Sequence, residues 1–371
     1  MQKLRNEIFA GLFIFSWTFI CKVIIIQLDD LKFLFQDRLS IPSEFEHKLF
    51  GDVTMQLDFW EVLTNLAGLF LLIAVGYGAV KLDIVPRSAS TALSQLLLKI
   101  TLPCTVFTSL LRPYDPSFLF DILLVFILGL VLLPINALIS QPLATVAKVP
   151  KNRRGVWTFC STFGNTGFMG FPIALALFGE EGLALATVFN MSFNIHNYGL
   201  GALMIASDRP KDSGVPSIRL RSVLITTINV GATLGLLCYF AQISVPTVIL
   251  TPLTHLGNVT TPMSMFVTGM NLTGKKFSAI FRDRDVLTAS LARLVIMPLV
   301  FLVELTLLNL LLPFNNPVIF GLLFVVMAMP AAGAGTILAE NYGVNPEFPA
   351  SVIFLTSLFC IATIPIMTMF L

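Results

Sequence analysis

The stretch STFGNTGFMGFPIALALFG, residues 161 to 179, sets Gly164, Gly167, Gly170 and Pro172 within nine positions of a run apolar enough to cross a membrane. A second interruption, AMPAAGAGTILAENYG from residue 328, carries Pro330, Gly333 and Gly335. In hydrocarbon a broken helix leaves backbone N–H and C=O groups unpaired, so breaks persist only where protein or a water-filled cavity satisfies them. The half-helix after each break aims its N-terminus at the midplane, where free amides and the helix dipole favour an anion. Pro172 suits the first turn of such a half-helix, since its missing N–H would have had no partner there. Pro330 stops a first half, and Gly333 and Gly335 let backbone approach a ligand closely. The expected anion site is therefore Gly164, Asn165, Thr166, Gly167 and Phe168 from one break and Pro330, Ala331, Gly333 and Thr336 from the other. Backbone amides and the Asn165, Thr166 and Thr336 side chains cradle a carboxylate in this reading. Glycine-rich helices also serve as plain packing surfaces, which explains one such segment better than two in matching positions.

Other polar residues fall inside apolar runs, where an ionisable or amide group is expensive and by default a functional candidate. Asn190, Asn194 and Asn197 recur at i, i+4 and i+7 and form one stripe of a helix, lining a cavity or hydrogen-bonding to another helix. Lys99 lies about 11 residues from the end of its apolar run, near mid-membrane at about 1.5 Å per residue. It is a candidate countercharge or coupling residue, with snorkelling as the plain alternative. Glu304 and Arg293 share a helix face but stand about 16 Å apart at that rise, too far to pair directly. Glu304 and His196 are the remaining coupling candidates, Glu304 as a proton carrier. The five cysteines lie in apolar runs without a C-x-x-C, so neither a disulfide framework nor a metal site is expected. No nucleophile elbow, zinc-protease or P-loop motif occurs in the chain, which argues against an enzyme and an ATP-driven pump; no cofactor is expected.

The elements that must position these residues are membrane helices. With 56% hydrophobic and 12% charged residues and a mean hydropathy of +0.87, the chain is an integral membrane protein. Its apolar runs reach the roughly 20 residues a helix needs to span, twice what a barrel strand uses. Spans are expected near 58–80, 89–111, 117–140, 155–178, 182–206, 219–241, 247–271, 286–312, 317–342 and 348–371. Alternate connections hold fourteen Lys and Arg, from Lys81 to Arg284, against Arg112 alone on the other face. By the positive-inside rule the basic loops are cytoplasmic, and their charges serve topology and lipid headgroups, not nucleic acid. Residues 1–56 form an N-terminal extension. Its IFAGLFIFSWTFICKVIIIQL, residues 8 to 28, is an extra span, a signal-like segment, or upstream of a start at Met55.

The ten spans divide into repeats, residues 57–206 and 207–371. KITLPCTVFTSLL from residue 99 and NVTTPMSMFVTGM from residue 258 share Thr101/Thr260, Pro103/Pro262, Thr105/Ser264 and Phe107/Phe266 in one register. The broken segments align similarly at Gly179 and Gly343. Five spans per half, an odd number, send the second half in from the opposite side, giving inverted repeats with broken crossover helices 4 and 9. Pro103 and Pro262 are expected to kink related helices.

GYGAVKLDIVPRSASTALSQLLLKITLPCTVFTSLL (76–111), GNTGFMGFPIALALFGEEGLA (164–184) and AMPAAGAGTILAENYG (328–343) resemble the auxin efflux carrier family of permeases, prokaryotic relatives of the plant PIN carriers. The resemblance covers residues 57–371. It implies an all-α, ten-helix, two-repeat fold, with a scaffold domain and a transport domain whose crossover helices hold a small organic anion, typically a mono- or dicarboxylate. The plant carriers have Asn-Pro at the crossover. Here the first break has Asn165-Thr166 and the second Met329-Pro330 without the asparagine, a departure that bears on any auxin-like substrate. Bile-acid sodium symporters share the general architecture, but no acidic residue precedes Glu340 in either crossover to build a sodium cage. The expected function is thus a secondary permease of the cell membrane, driven by protons or by the membrane potential, with a second copy of the chain as a candidate partner. The competing reading is a receptor that binds the same ligand without transporting it.

Overall fold

The computed structural model describes residues 59–209, 226–273, 280–312, 314 and 316–371. The N-terminal extension, the start of the sixth expected span and the basic residues Lys211, Arg219, Arg221, Lys275 and Lys276 lie outside the described residues. Those described are helical, without a strand: α1 Phe59–Lys81, α2 Ala89–Leu96, α3 Leu102–Ser109, α4 Pro116–Val146, α5 Arg154–Thr162, α6 Phe171–Tyr198, α7 Leu200–Ala206, α8 Thr227–Ala241, α9 Thr247–Asn258, α10 Thr260–Asn271, α11 Arg284–Leu291, α12 Met297–Leu311, α13 Pro317–Met327, α14 Ala334–Asn341 and α15 Glu347–Thr368. Three π-helical turns, Leu97–Thr101, Thr166–Gly170 and Ala292–Ile296, are set into this order. Such turns insert a residue into the helical ladder and often mark functional positions.

Among the described residues six stretches are long and apolar enough to cross a membrane, and Thr227–Ala241 and Pro317–Met327 are apolar but shorter. The difference from ten has local causes. Expected span 155–178 is cut between α5 and the π turn at Thr166, and span 317–342 between α13 and α14. The fourth and fifth expected spans run on as one helical stretch, interrupted at Gly179, whose φ of 64° and ψ of −159° only glycine adopts readily. Four other starts follow capping rules. Asp115, Thr226, Asp283 and Asn316 each accept a backbone N–H from the first turn of α4, α8, α11 and α13, and Pro116 and Pro317 open α4 and α13.

The structure divides into a body, Met55–Pro298 with Asn316–Leu371, and a segment, Leu299–Asn315. In the segment Phe301 and Leu305 are buried, and Asn309 Oδ1 accepts from the Phe314 N–H at 2.8 Å. Within the body, glycines let helices touch backbone to backbone. An ideal Cβ on Gly269 of α10 would stand 1.9 Å from the Ile73 carbonyl oxygen of α1, and one on Gly76 would stand 2.0 Å from that of Phe266. The two copies of the repeated motif meet: Thr105 Oγ1 lies 2.7 Å from Thr260 Oγ1 and 3.0 Å from the Gly257 carbonyl oxygen.

Polar contacts between connections sort by the expected membrane face. On the face expected outside, Asn316 Nδ2 donates to Asp121 at 2.7 Å and Glu181 at 2.6 Å, and the Asp115 N–H donates to Tyr239 at 3.2 Å. On the face expected inside, Arg153 pairs with Asp283 at 3.1 Å, and Asp208 accepts from the Gly155 and Val156 amides at 2.8 and 2.7 Å. Burial raises the Asp208 carboxyl above its ordinary range, an effect the two amides at the start of α5 offset only in part.

The close glycine contact yields a test. Gly269→Ala is expected to force α1 and α10 apart and lower stability by roughly 1–3 kcal/mol, whereas Gly78→Ala, with nothing within 4 Å of its Cβ position, stays within about 0.5 kcal/mol of wild type. Thermal unfolding midpoints in detergent check both.

Candidate functional site

Helix α5 ends where Phe163 turns extended, at φ −95° and ψ 125°, and the chain passes through Gly164 and Asn165 into the π turn. Helix α13 ends at Ala328, and the chain passes through Pro330 and Ala331 to Gly333, the cap residue of α14. These two interruptions find each other. Gly164 and Ala331 form an antiparallel bridge; the Asn165 N–H donates to Pro330 at 2.7 Å, and the Ala332 N–H to Phe163 at 2.9 Å. Each break thus supplies the hydrogen-bond partners the other lacks in hydrocarbon. The Ala331 N–H donates to Thr356 Oγ1 of α15 at 3.1 Å.

Beneath the bridge lies Arg293, in the π turn between α11 and α12 and 0% exposed. Its Nε donates to the Met329 carbonyl at 2.8 Å, Nη1 to Thr162 at 2.6 Å and Ser161 at 3.5 Å, and Nη2 to Met327 at 3.0 Å. These are carbonyls at and just beyond the C-terminal ends of α5 and α13, which the interruptions leave without helical partners. An ideal Cβ on Gly164 would stand 2.1 Å from Nη2, so only glycine leaves room for the guanidinium. Sequence reasoning noted Arg293 only for its distance from Glu304. The one signal that pointed to it was a lone cation within an apolar run.

The crossing is asymmetric. Gly164, Thr166, Pro330 and Ala331 are buried, while Asn165, Gly167, Phe168, Ala334 and Thr336 are half-buried and Gly333 is exposed. Nothing lies within 4 Å of a Cβ placed on Gly167 or Gly333, so open space borders the starts of both second half-helices. Gly164, Pro330 and Ala331, expected to cradle a ligand, also build the bridge: the Pro330 carbonyl accepts across it, the Ala331 N–H donates to Thr356, and the Gly164 carbonyl accepts from the Thr166 N–H at 3.0 Å. Asn165 has a structural duty as well: its Oδ1 accepts the Phe168 N–H at 3.1 Å and caps the helix. Pro172 and Pro103 each follow a π turn within a continuous helical stretch, Thr166–Ala206 and Ala89–Ser109, and Pro262 follows the junction of α9 and α10 at Val259.

The asparagine stripe forms a chain of hydrogen bonds. Asn190 Nδ2 donates to Thr166 Oγ1, and Asn194 Nδ2 donates to Asn190 Oδ1 and to Asn229 Oδ1 of α8, each at 2.9 Å. Asn194 bonds across to α8 and Asn190 links it back to Thr166, so the chain ties the crossing to α8. Asn197 is buried with its Oδ1 outside this chain. Lys99 and His196 do not join the crossing in any of these contacts. Lys99 is exposed on the π turn before α3, at a cavity of about 440 Å³ lined by Pro103, Phe107, Gly231 and Leu234. His196 Nε2 stands 3.1 Å from the Leu130 carbonyl oxygen. Glu304 is half-buried in the separate segment.

Apolar helices broken in mid-course, with the breaks satisfied by each other and open space beside them, belong to a membrane carrier. The chain belongs to the membrane transport protein family, whose model matches it in two stretches, residues 61–229 and 216–368. This is the auxin efflux carrier family that its motifs resemble. An uncharacterized transporter of Methanocaldococcus jannaschii is 26% identical over 301 residues, 79% of this chain and 94% of that protein. One of Methanothermobacter thermautotrophicus is 25% identical over 305 residues, 80% and 94% of the respective chains. Protein ECM3 of Saccharomyces cerevisiae is 24% identical over 163 residues, 41% of this chain and 26% of its own. The protein is a multi-pass transporter of the cell membrane.

The fit of Arg293 under Gly164 predicts that Gly164→Ala displaces the guanidinium and destabilises the protein by roughly 1–3 kcal/mol. Gly167→Ala, facing open space, should leave the unfolding midpoint nearly unchanged. Parallel thermal denaturation of the two variants measures the difference.

Proposed function

We propose that the protein is a secondary transporter that moves a small organic anion bearing a carboxylate across the membrane by alternating access at the crossing. The observation that carries this reading is the asymmetry of the crossing: bonded and filled on the Arg293 side, open beside Gly167 and Gly333. A carboxylate on the open side would meet the positive ends of two half-helices, the Asn165 Nδ2 and the Thr336 hydroxyl. The surrounding sequence pattern supports ten spans in two inverted repeats, residues 57–206 and 207–371, with the two crossover helices moving as a unit against the remaining helices. The bridge and Arg293 favour such a unit, because parting the two crossovers would expose the backbone groups they satisfy. The Asn194–Asn229 bond is then a contact that forms in one state and breaks in another. Protons are favoured over sodium as the coupling ion, since the crossing offers amides and hydroxyls and lacks the carboxylates a hard cation prefers.

The test exploits the double duty of Asn165. Asn165→Asp keeps an acceptor for the Phe168 N–H, so the helix remains capped, but replaces the amide donor with a negative oxygen. Purified protein in liposomes is expected to take up labelled benzoate or succinate, with uptake reduced at least about tenfold in Asn165→Asp, a difference of roughly 1.4 kcal/mol, and blocked when Gly167→Val fills the open space. Wild-type uptake by both variants would remove the site from the crossing.

A further inference from the structure

A buried guanidinium normally has a carboxylate beside it, because an uncompensated charge in a low-dielectric interior is costly. Among the described residues Arg293 has no such partner in its hydrogen bonds; its donors go to the carbonyls of Thr162, Met327 and Met329, with Ser161 at 3.5 Å. Helix ends offer a different compensation. The C-terminus of a helix acts as roughly half a negative charge and the N-terminus as roughly half a positive one. Two C-terminal ends, those of α5 and α13, converge on this one guanidinium and together offset it. The starts of the two second half-helices, at Thr166 and Ala334, then remain uncompensated on the open side. Without Arg293 the four helix ends would sum to zero, whereas with it the crossing carries a net charge of about +1.

The Arg293 charge is fully buried. Gly164, against which the guanidinium packs, is itself a bridge residue, so the cation lies directly against the backbone of the crossing. Within a membrane protein, at such range, charge is little attenuated by salt. One negative charge on the substrate neutralises the crossing; a neutral solute leaves it positive, and a dianion leaves it negative. Resting on the organic-anion reading above, we infer that Arg293 fixes the valence of the substrate, so that the site takes a monoanion such as a monocarboxylate in preference to a dicarboxylate or a neutral analogue. Arg293 is a positioning residue in this account. It acts through the crossing without touching the substrate, and its π turn, Ala292–Ile296, sets it where the two helix ends meet.

Two probe series that vary charge on a constant skeleton test the inference: succinamide, succinamate and succinate, and phthalamide, phthalamate and phthalate, assayed on the full chain by ligand-induced thermal shift and by competition for uptake in liposomes. The singly charged member of at least one series is expected to bind about tenfold or more tighter than its neutral and doubly charged neighbours. Arg293→Gln should erase the preference for the monoanion over the neutral member, and Arg293→Lys, which keeps the charge but loses the forked hydrogen bonds, should lose stability yet retain the preference. A purely structural arginine would lower stability in both variants without changing the ranking of the probes. If Arg293→Gln does not fold, the wild-type ranking together with Arg293→Lys decides. Equal or tighter binding of the dianions, or an unchanged ranking in Arg293→Gln, overturns the valence assignment and leaves the anion carrier standing. Binding confined to the neutral probes, or no response in either series, overturns both.

Discussion

Backbone amides and carbonyls have no water to bond with in the hydrocarbon core, and the structure around the crossing follows from that constraint. Two helices stop in mid-course, at Thr162 and Met327, and each stop strands carbonyls at one end and amides at the other. The bridge between Gly164 and Ala331 recovers part of what is lost, and Thr356 takes up one further amide. The carbonyls are collected by one side chain. Arginine suits the task because its planar fork presents several donors at fixed angles and remains charged, whereas lysine would offer a point charge to a set of acceptors spread over two helix ends.

Side-chain size then becomes critical where the constraint is tightest. Gly164 is glycine because the guanidinium occupies the space a methyl group would need, and Gly76 and Gly269 are glycines because a neighbouring carbonyl does. Close approach of this kind is a main source of helix association in lipid, where burying apolar surface yields no gain over lipid tails. Gly167 and Gly333 are glycines in a different sense: their surroundings are empty. The same residue type therefore marks both the packed and the open side of one crossing.

Beyond the crossing, polar side chains join elements that the apolar pattern leaves independent. The Thr166–Asn190–Asn194–Asn229 chain runs from the π turn through α6 to α8, so the geometry of the break is coupled to a helix distant in sequence. At the two membrane faces, Asn316 gathers Asp121 and Glu181, while Arg153 gathers Asp283 and Asp285. Loops that the charge distribution assigns to one side bond to loops assigned to the same side.

Much of this was legible in the residues alone. Apolar length and paired glycine-proline interruptions are local properties, and they located the six stretches able to cross a membrane and both breaks because a bilayer imposes length and polarity on every segment separately. The list of residues near the crossing was likewise readable, since glycine and proline announce where a helix stops. Which of them build the crossing and which border its open side was not. Asn165 as a cap, Pro330 and Ala331 as bridge partners and the asparagines as an interhelical chain all depend on groups far away in sequence. Arg293 is the sharpest case: in the sequence it is a lone cation within an apolar run, and its partners, 34 to 132 residues away, come together only when three segments meet. Sequence patterns record what each segment requires of the membrane. Only the tertiary structure decides which segment supplies the missing hydrogen bonds of another.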